Sequence, residues 1–206
     1  MEHRILISGS SGLVGSDLLE KLKKAGNDCF KLVRRNPVDS NEIFWNPEGR
    51  ILNSDSIEGF DAVIHLAGEN IAGSRWSKEF KKKIRDSRVH STELLSSTLS
   101  KLKRKPSVFI CASAAGYYGN RGSEELTEDS PAGSGFLAEV CKDWEAATLT
   151  AKNSGIRVAN LRTGMVLSEK GGALKKMLPP FKIGIGGAAG DGSQYVSWIT
   201  LDDLTR

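Results

Sequence analysis

Three glycines spaced three apart, Gly9, Gly12 and Gly15, follow directly on the apolar run Ile5–Ile7 and open an amphipathic stretch running from about 12 to 25. A buried strand that breaks into a glycine-punctuated turn and then a helix constrains this chain more than any other feature. The first glycine permits the tight turn, the second lets backbone approach a pyrophosphate, and the third lets helix pack on strand. The free N–H groups and positive dipole end of the new helix then face the phosphates. Gly9, Ser11, Gly12, Leu13, Val14 and Gly15 are therefore the candidate pyrophosphate site of a dinucleotide. A purely structural tight turn would use the same glycines, and glycine is common here at 22 of 206 residues. The strand–turn–helix context favours the nucleotide.

The same alternation continues along the chain. Strand-like runs recur at Cys29–Val33, Ala62–Leu66, Val108–Cys111, Val158–Leu161 and Tyr195–Ile199, with helices predicted over 12–25, 77–103 and 135–154. Strand–helix–strand alternation implies an α/β protein, a doubly wound parallel sheet of Rossmann type covered on both faces. The turn Asn46-Pro47-Glu48-Gly49 between two short apolar pieces predicts a hairpin excursion over Ile43–Leu52. Lys170–Gly192, rich in Gly and Pro, reads as a long loop around one short helix. The expected division is a dinucleotide-binding domain over 1–165 and the start of a substrate-binding portion over 166–206. Thr200 is a plausible N-cap with Asp202 and Asp203 in the first turn of a new helix, and the chain stops at Arg206 after about one turn. That pattern reads as a fold cut at its C-terminus, with a longer natural protein continuing past it.

Composition excludes several classes. A net charge of +4 is modest, and the basic stretches Lys81–Lys83 and Lys101–Lys105 fall within or at the end of one predicted helix. Solvated helix faces account for them, and no aromatic stacking motif accompanies them, so nucleic acid is not expected as a partner. Cys29, Cys111 and Cys141 are odd in number and carry no CxxC spacing, which points to reduced thiols and to neither disulfides nor a metal site. No apolar run is long enough to span a bilayer, and the first strand begins by residue 4, so a cytoplasmic protein with no membrane partner is expected.

Two arginines, Arg34 and Arg35, end the second predicted strand, where a dinucleotide fold selective for NAD places an acidic residue on the ribose diol. No acidic residue occurs between Asp28 and Asp39. Two guanidiniums there suit a 2′-phosphate, so the cofactor expected is NADP. On the 77–103 helix the predicted inward stripe runs Phe80, Ile84, Arg88, Ser91, Leu95, Thr98 and Leu102. A guanidinium on that stripe needs an anionic or carbonyl partner. Arg88 is either a structural ion pair with a carboxylate or a group at the cofactor, and Lys83 at the stripe's edge is a weaker candidate.

Gly9-x-x-Gly12-x-x-Gly15, Asp61-Ala-Val-Ile-His-Leu-Ala-Gly68 and Ser113-Ala-Ala-Gly-Tyr-Tyr-Gly119 together resemble the extended, epimerase-like branch of the short-chain dehydrogenase/reductases. Leu66-Ala-Gly-Glu-Asn70, Ser87-Arg88, Gly135-Phe-Leu-Ala-Glu-Val-Cys141, Trp144-Glu145 and Gly184-Ile-Gly-Gly187 are similar to an atypical, nucleotide-sugar epimerase-like subgroup of the NAD-dependent epimerase/dehydratase family. The resemblance spans the whole chain. It implies that Leu66, Ala67 and Gly68 also line the cofactor, that Ser113 offers a hydroxyl to substrate (an ordinary turn residue at a strand end being the other reading), and that such proteins often pair as homodimers through two long helices.

The resemblance also exposes a departure. Typical members carry a proton-donating Tyr and, four residues on, a Lys that lowers its pKa and holds the nicotinamide ribose. Here the helix after Ser113 offers Phe136/Val140 or Leu137/Cys141, and neither pair can move that proton. By resemblance Cys141 has the stronger claim to the lysine position; an ordinary buried thiol is the other reading. Tyr117 and Tyr118, in the loop after Ser113, are the nearest substitute acids, with packing the alternative. Two functions remain open: an NADP-dependent oxidoreductase or epimerase acting on a small molecule, a nucleotide sugar or other carbonyl compound, or an NADP-binding sensor or interaction protein with little chemistry.

Overall fold

The computed structural model describes residues 2–188 and 190–206; Ala189, within the predicted loop Lys170–Gly192, lies outside them. Strand β1 (Arg4–Ser8) is the axis of the molecule. It pairs in parallel with β2 (Asp28–Val33) on one side and β5 (Ala62–His65) on the other. Adding β3 (Glu42–Asn46), β4 (Ile51–Leu52), β6 (Val108–Ala114) and β7 (Arg157–Thr163) gives a seven-stranded sheet in the order β4-β3-β2-β1-β5-β6-β7. Every pairing in it is parallel except β3–β4. The order reverses between β1 and β5, which opens a crevice at the carboxyl ends of those strands.

Strand alternation separates two apolar layers. Ile5, Ile7, Cys29 and Ile64 pack against Leu18, Leu19 and Leu22 of helix α1 (Leu13–Lys24). Leu6, Leu32, Val63 and Phe109 point to the opposite face and meet Leu94, Leu95 and Leu99 of the 23-residue helix α2 (Lys78–Ser100), together with Trp144 and Ala151. Helices thus cover both faces, as the alternation implies.

Three local expectations are corrected. The predicted 135–154 helix is two, α3 (Phe136–Ala146) and α4 (Leu149–Asn153). At the break Thr148 is buried and its hydroxyl donates to the Glu145 carbonyl at 2.6 Å, while the Ala151 N–H donates across to Ser96 Oγ of α2 at 2.8 Å. The hairpin at 42–52 exists, but it is no excursion, because β3 lies in the main sheet beside β2. The strand predicted at Tyr195–Ile199 forms as β9 (Trp198–Thr200) and leaves the main sheet to pair with β8 (Met165–Ser168). Between β8 and β9 the short predicted helix is α5 (Gly172–Lys182), which contains Pro179 and Pro180. Thr200 does cap α6 (Leu201–Leu204), accepting from the Asp203 N–H at 3.1 Å. Lys21 of α1 reaches Asp202 at 2.5 Å and ties α6 to α1.

Candidate functional site

The three glycines of the β1–α1 turn do different things. Gly9 has φ +71°, and a Cβ there would stand 2.7 Å from the Leu66 carbonyl and 2.8 Å from Ala67 N. At Gly15 a Cβ would stand 2.2 Å from the Gly9 oxygen. Both are internal close approaches, one locking the turn against the end of β5 and the other locking the helix against the turn. Gly12 differs: its Cβ position meets only the Gly9 oxygen, at 3.3 Å, and otherwise looks into open space. Gly12 is the N-cap of α1, with no side-chain cap and no acidic residue in the first turn. The first-turn N–H groups of Leu13, Val14 and Gly15 are therefore left for an anion. Ser11, Gly12 and Leu13 border a surface cleft of about 520 Å³ shared with Lys170 and Gly171. A cradle that a Cβ would narrow, ahead of an uncapped 12-residue helix, fits a dinucleotide pyrophosphate.

At the end of β2 the two arginines part company. Arg35 forks onto Glu42, with Nη1–Oε2 at 2.7 Å and Nη2–Oε1 at 2.8 Å. Glu42, with a side chain only 1% exposed, also accepts from Lys31 Nζ at 2.8 Å and the Val38 N–H at 3.0 Å. Those donors, Arg35 first, pull its carboxyl down to about 2. Arg35 is thus fastened to a carboxylate that β3 delivers, a partner outside the 28–39 window searched in the sequence. Arg34 is exposed and forms no ion pair with a described residue.

Past β5, Leu66, Ala67 and Gly68 continue from the strand's carboxyl end, with Leu66 and Ala67 against Gly9. Arg88 of α2 lies directly beneath: a Cβ at Gly68 would stand 3.3 Å from its guanidinium carbon. Its Nη1 donates to the Ile84 carbonyl and its Nη2 to the Glu69 carbonyl, both at 3.0 Å, and its guanidinium carbon sits 5.2 Å from the centre of the Trp144 ring. The partners are carbonyls and an aromatic face, so the carboxylate ion pair weighed from the sequence is not what forms. Burial lowers the Arg88 pKa, yet an arginine stays protonated. Lys83 pairs with the Glu69 carboxylate at 3.1 Å and is largely exposed.

Beyond β6 the register of α3 is settled by Gly116, whose Cβ position lies 3.5 Å from Leu137 Cβ and 3.9 Å from Cys141 Sγ. Leu137 and Cys141 therefore face the Ser113–Tyr118 segment. Phe136 turns instead to Trp76, with ring centroids 5.7 Å apart, and to Lys81. Cys141 is buried, and desolvation raises its thiol pKa. Ser113 is buried too, and its hydroxyl donates to Glu145 Oε1 at 2.6 Å. Glu145 is held by Arg162 of β7 through Nε–Oε1 and Nη2–Oε2, each 2.9 Å, which raises the Arg162 pKa. The same guanidinium donates to the Tyr118 hydroxyl at 3.0 Å and lies 3.5 Å over the Tyr117 ring. The Tyr118 hydroxyl is thus engaged by Arg162, whereas the Tyr117 hydroxyl makes no hydrogen bond to a described residue.

Sequence reading missed Arg162 and His65. His65, fully buried, bridges Ser8 Oγ of β1 at 2.5 Å and Ser91 Oγ of α2 at 3.1 Å. Burial pushes its pKa down to about 3, so it is a neutral strut beneath the crevice. Only the strand pairing, which sets Ser8 beside His65, reveals that role. Among the described residues no cluster of His, Cys, Asp or Glu could hold a metal ion, and no helix is long and apolar enough to cross a membrane.

A family model described as the NAD dependent epimerase/dehydratase family matches residues 5–206. An epimerase family protein of Mycobacterium bovis is 46% identical over 202 residues, covering 98% of this chain and 66% of that protein. The chain thus spans just under two thirds of that relative's length. Among solved structures, the nucleoside-diphosphate sugar epimerase from Corynebacterium glutamicum is 42% identical with a TM-score of 0.88, covering 100% of this chain and 42% of that one. The human epimerase family protein SDR39U1 (isoform 2), solved with NADPH, is 33% identical with a TM-score of 0.86, covering 98% of this chain and 67% of that one.

Proposed function

Given that the chain belongs to the NAD dependent epimerase/dehydratase family, we propose that it is an NADP(H)-binding, epimerase-like oxidoreductase acting on a nucleotide sugar or another small carbonyl compound. The observation that carries the cofactor is the one open glycine, Gly12, set between two closed ones at an uncapped helix start. The turn Gly9–Gly15 would hold the pyrophosphate, Arg34 the 2′-phosphate, and Leu66–Gly68 the path toward the second nucleoside. The human relative solved with NADPH supports the phosphorylated dinucleotide, and the Corynebacterium neighbour's name supports a sugar nucleotide substrate. A nicotinamide cofactor supplies or accepts the hydride.

The chain's own residues must then orient the substrate and move a proton. Tyr117, whose ring lies under the Arg162 guanidinium, is the proton-transfer candidate. Ser113, committed to Glu145, acts as a positioning residue that steadies the loop carrying Tyr117. We assign 166–206 to the start of the substrate-binding portion. One observation favours the second reading, a binding protein with little chemistry: Leu137 and Cys141 occupy the places facing Gly116 where an acid and a cation are needed. NADPH absorbance and chromatography of the products, followed against a panel of nucleotide sugars and carbonyl compounds, separate the two. Net oxidation of NADPH by a carbonyl compound, or conversion of a nucleotide sugar to its epimer with no net change in the cofactor, supports the enzyme when it is lost in Tyr117→Phe; binding of NADPH with neither reaction supports the sensor.

A further inference from the structure

The charges around the crevice do not cancel. Lys83 neutralises Glu69 at 3.1 Å, and Arg162 neutralises Glu145 through two contacts of 2.9 Å. Cys141, whose thiol pKa is raised by burial, contributes no charge at neutral pH. On the far side of α2, Arg85 and Asp143 satisfy each other at 2.8 Å. On the β5–β6 half of the crevice Arg88 remains, a guanidinium held by the neutral carbonyls of Ile84 and Glu69 and by the Trp144 face, with no ion pair to a described carboxylate and only the more distant attraction of Glu69, which Lys83 already engages. The guanidinium lies against Gly68. A dinucleotide whose pyrophosphate sits on α1 sends one nucleoside over β2 and the other over that half. Arg34, at the end of β2, suits the adenosine side, which leaves the nicotinamide above Gly68.

Resting on the cofactor assignment above, we propose that Arg88 is an uncompensated positive charge beneath the nicotinamide half of the site, and that it selects the reduced dinucleotide over the oxidised one. The oxidised nicotinamide ring is a cation and the dihydro ring is neutral, while the rest of the two molecules is identical. The ratio of their affinities therefore reports on the surroundings of the ring, and the change in that ratio when Arg88 loses its charge isolates the electrostatic part. Like charges a few ångströms apart in a partly desolvated site repel enough to change affinity by about tenfold or more. Arginine suits this role better than lysine, because it holds its proton under burial. The protein would load with NADPH from a mixed pool, so its bound cofactor is poised to give a hydride.

Calorimetric titration of the protein with NADPH and separately with NADP⁺ tests this. The expected result is NADPH tighter by about tenfold or more, with Arg88→Gln bringing the ratio close to one and Arg88→Lys, whose ammonium burial partly discharges, restoring it only in part. Should Arg88→Gln fail to fold, Lys83→Gln changes only an exposed side chain and frees the Glu69 carboxylate to offset Arg88, so it narrows the same ratio. Equal affinities in the unmodified protein overturn the proposal. So does a loss in Arg88→Gln that is equal for both forms, which would mark a phosphate contact or a structural role, or a ratio that Lys83→Gln leaves unmoved. Binding of neither form would overturn the cofactor reading itself.

Discussion

Glu145 Oε1 accepts from the Ser113 hydroxyl at 2.6 Å and from Arg162 Nε at 2.9 Å, so one carboxylate oxygen joins the end of β6 to β7. The side chains of Arg162 and Glu145 are 19% and 15% exposed, which makes the pair too buried to be replaced by water and its loss costly. Arg162→Met should destabilise the fold by about 3–5 kcal/mol, because the Glu145 charge is left uncompensated. Ser113→Ala removes a single bond to a charged acceptor and should cost about 1.5–3 kcal/mol. Urea unfolding measures both, and equal stability of Arg162→Met with the unmodified protein would show that the pair carries no weight.

The glycine turn predicts unequal effects from equal substitutions. Gly9→Ala and Gly15→Ala drive a Cβ into backbone at 2.7 and 2.2 Å, and both should lower Tm sharply. Gly12→Ala meets only the Gly9 oxygen at 3.3 Å and should fold nearly as well as the parent. Circular dichroism melts of the three variants, ranked in any other order, would contradict the division of labour between these positions.

Arg34 and Arg35 should separate function from stability. Arg34→Ala should weaken NADPH binding by roughly 1.5–3 kcal/mol and leave NADH unaffected, the loss of a hydrogen bond to a charged group. Arg35→Ala should act on the fold instead. Glu42 titrates at about 2 in the fold against an ordinary 4.5, so its contribution is complete above pH 4.5 and disappears as pH falls toward 2. Without Arg35 that pKa rises, and acid unfolding should begin at higher pH. An acid transition at the same pH in Arg35→Ala would show that the fork does not hold Glu42 ionised.

Placing the missing proton relay back on α3 should raise turnover. Leu137→Tyr with Cys141→Lys restores an acid and a cation at the two positions that face Gly116. General acid–base catalysis is worth about 10²–10⁴-fold, which bounds the gain. Steady-state kinetics on a substrate found in the carbonyl panel measures it. A gain from Phe136→Tyr with Val140→Lys would refute the register.

How far the sequence revealed all this depends on how local each cause is. The β1–turn–α1 unit was legible because its physics lies in consecutive residues: an apolar run, three glycines and an amphipathic period. The Arg88 partners were legible in kind, since a cation on an apolar stripe must find carbonyls or anions, yet their identity needed the fold to bring Glu69 over α2. Glu42 was invisible as a partner of Arg35 because only the β2–β3 register, Lys31 opposite Glu42, brings them together. The break between α3 and α4 rests on Ser96 of another helix, and no periodicity within 135–154 contains it. Arg162 lies just past the predicted strand Val158–Leu161, and only the pairing of β7 with β6 sets it opposite Ser113.

Dinucleotide binding on the open face of the Gly9–Gly15 turn is the premise of every functional statement above, and calorimetric titration of NADPH into the parent protein and into Gly12→Val tests it most directly. The β-branched side chain at Gly12 would occupy phosphate space while touching little of the protein itself. One NADPH should bind per parent chain, and none should bind a Gly12→Val variant whose melt shows it folded. Unchanged NADPH affinity in folded Gly12→Val, or no binding by the parent protein, would contradict that premise.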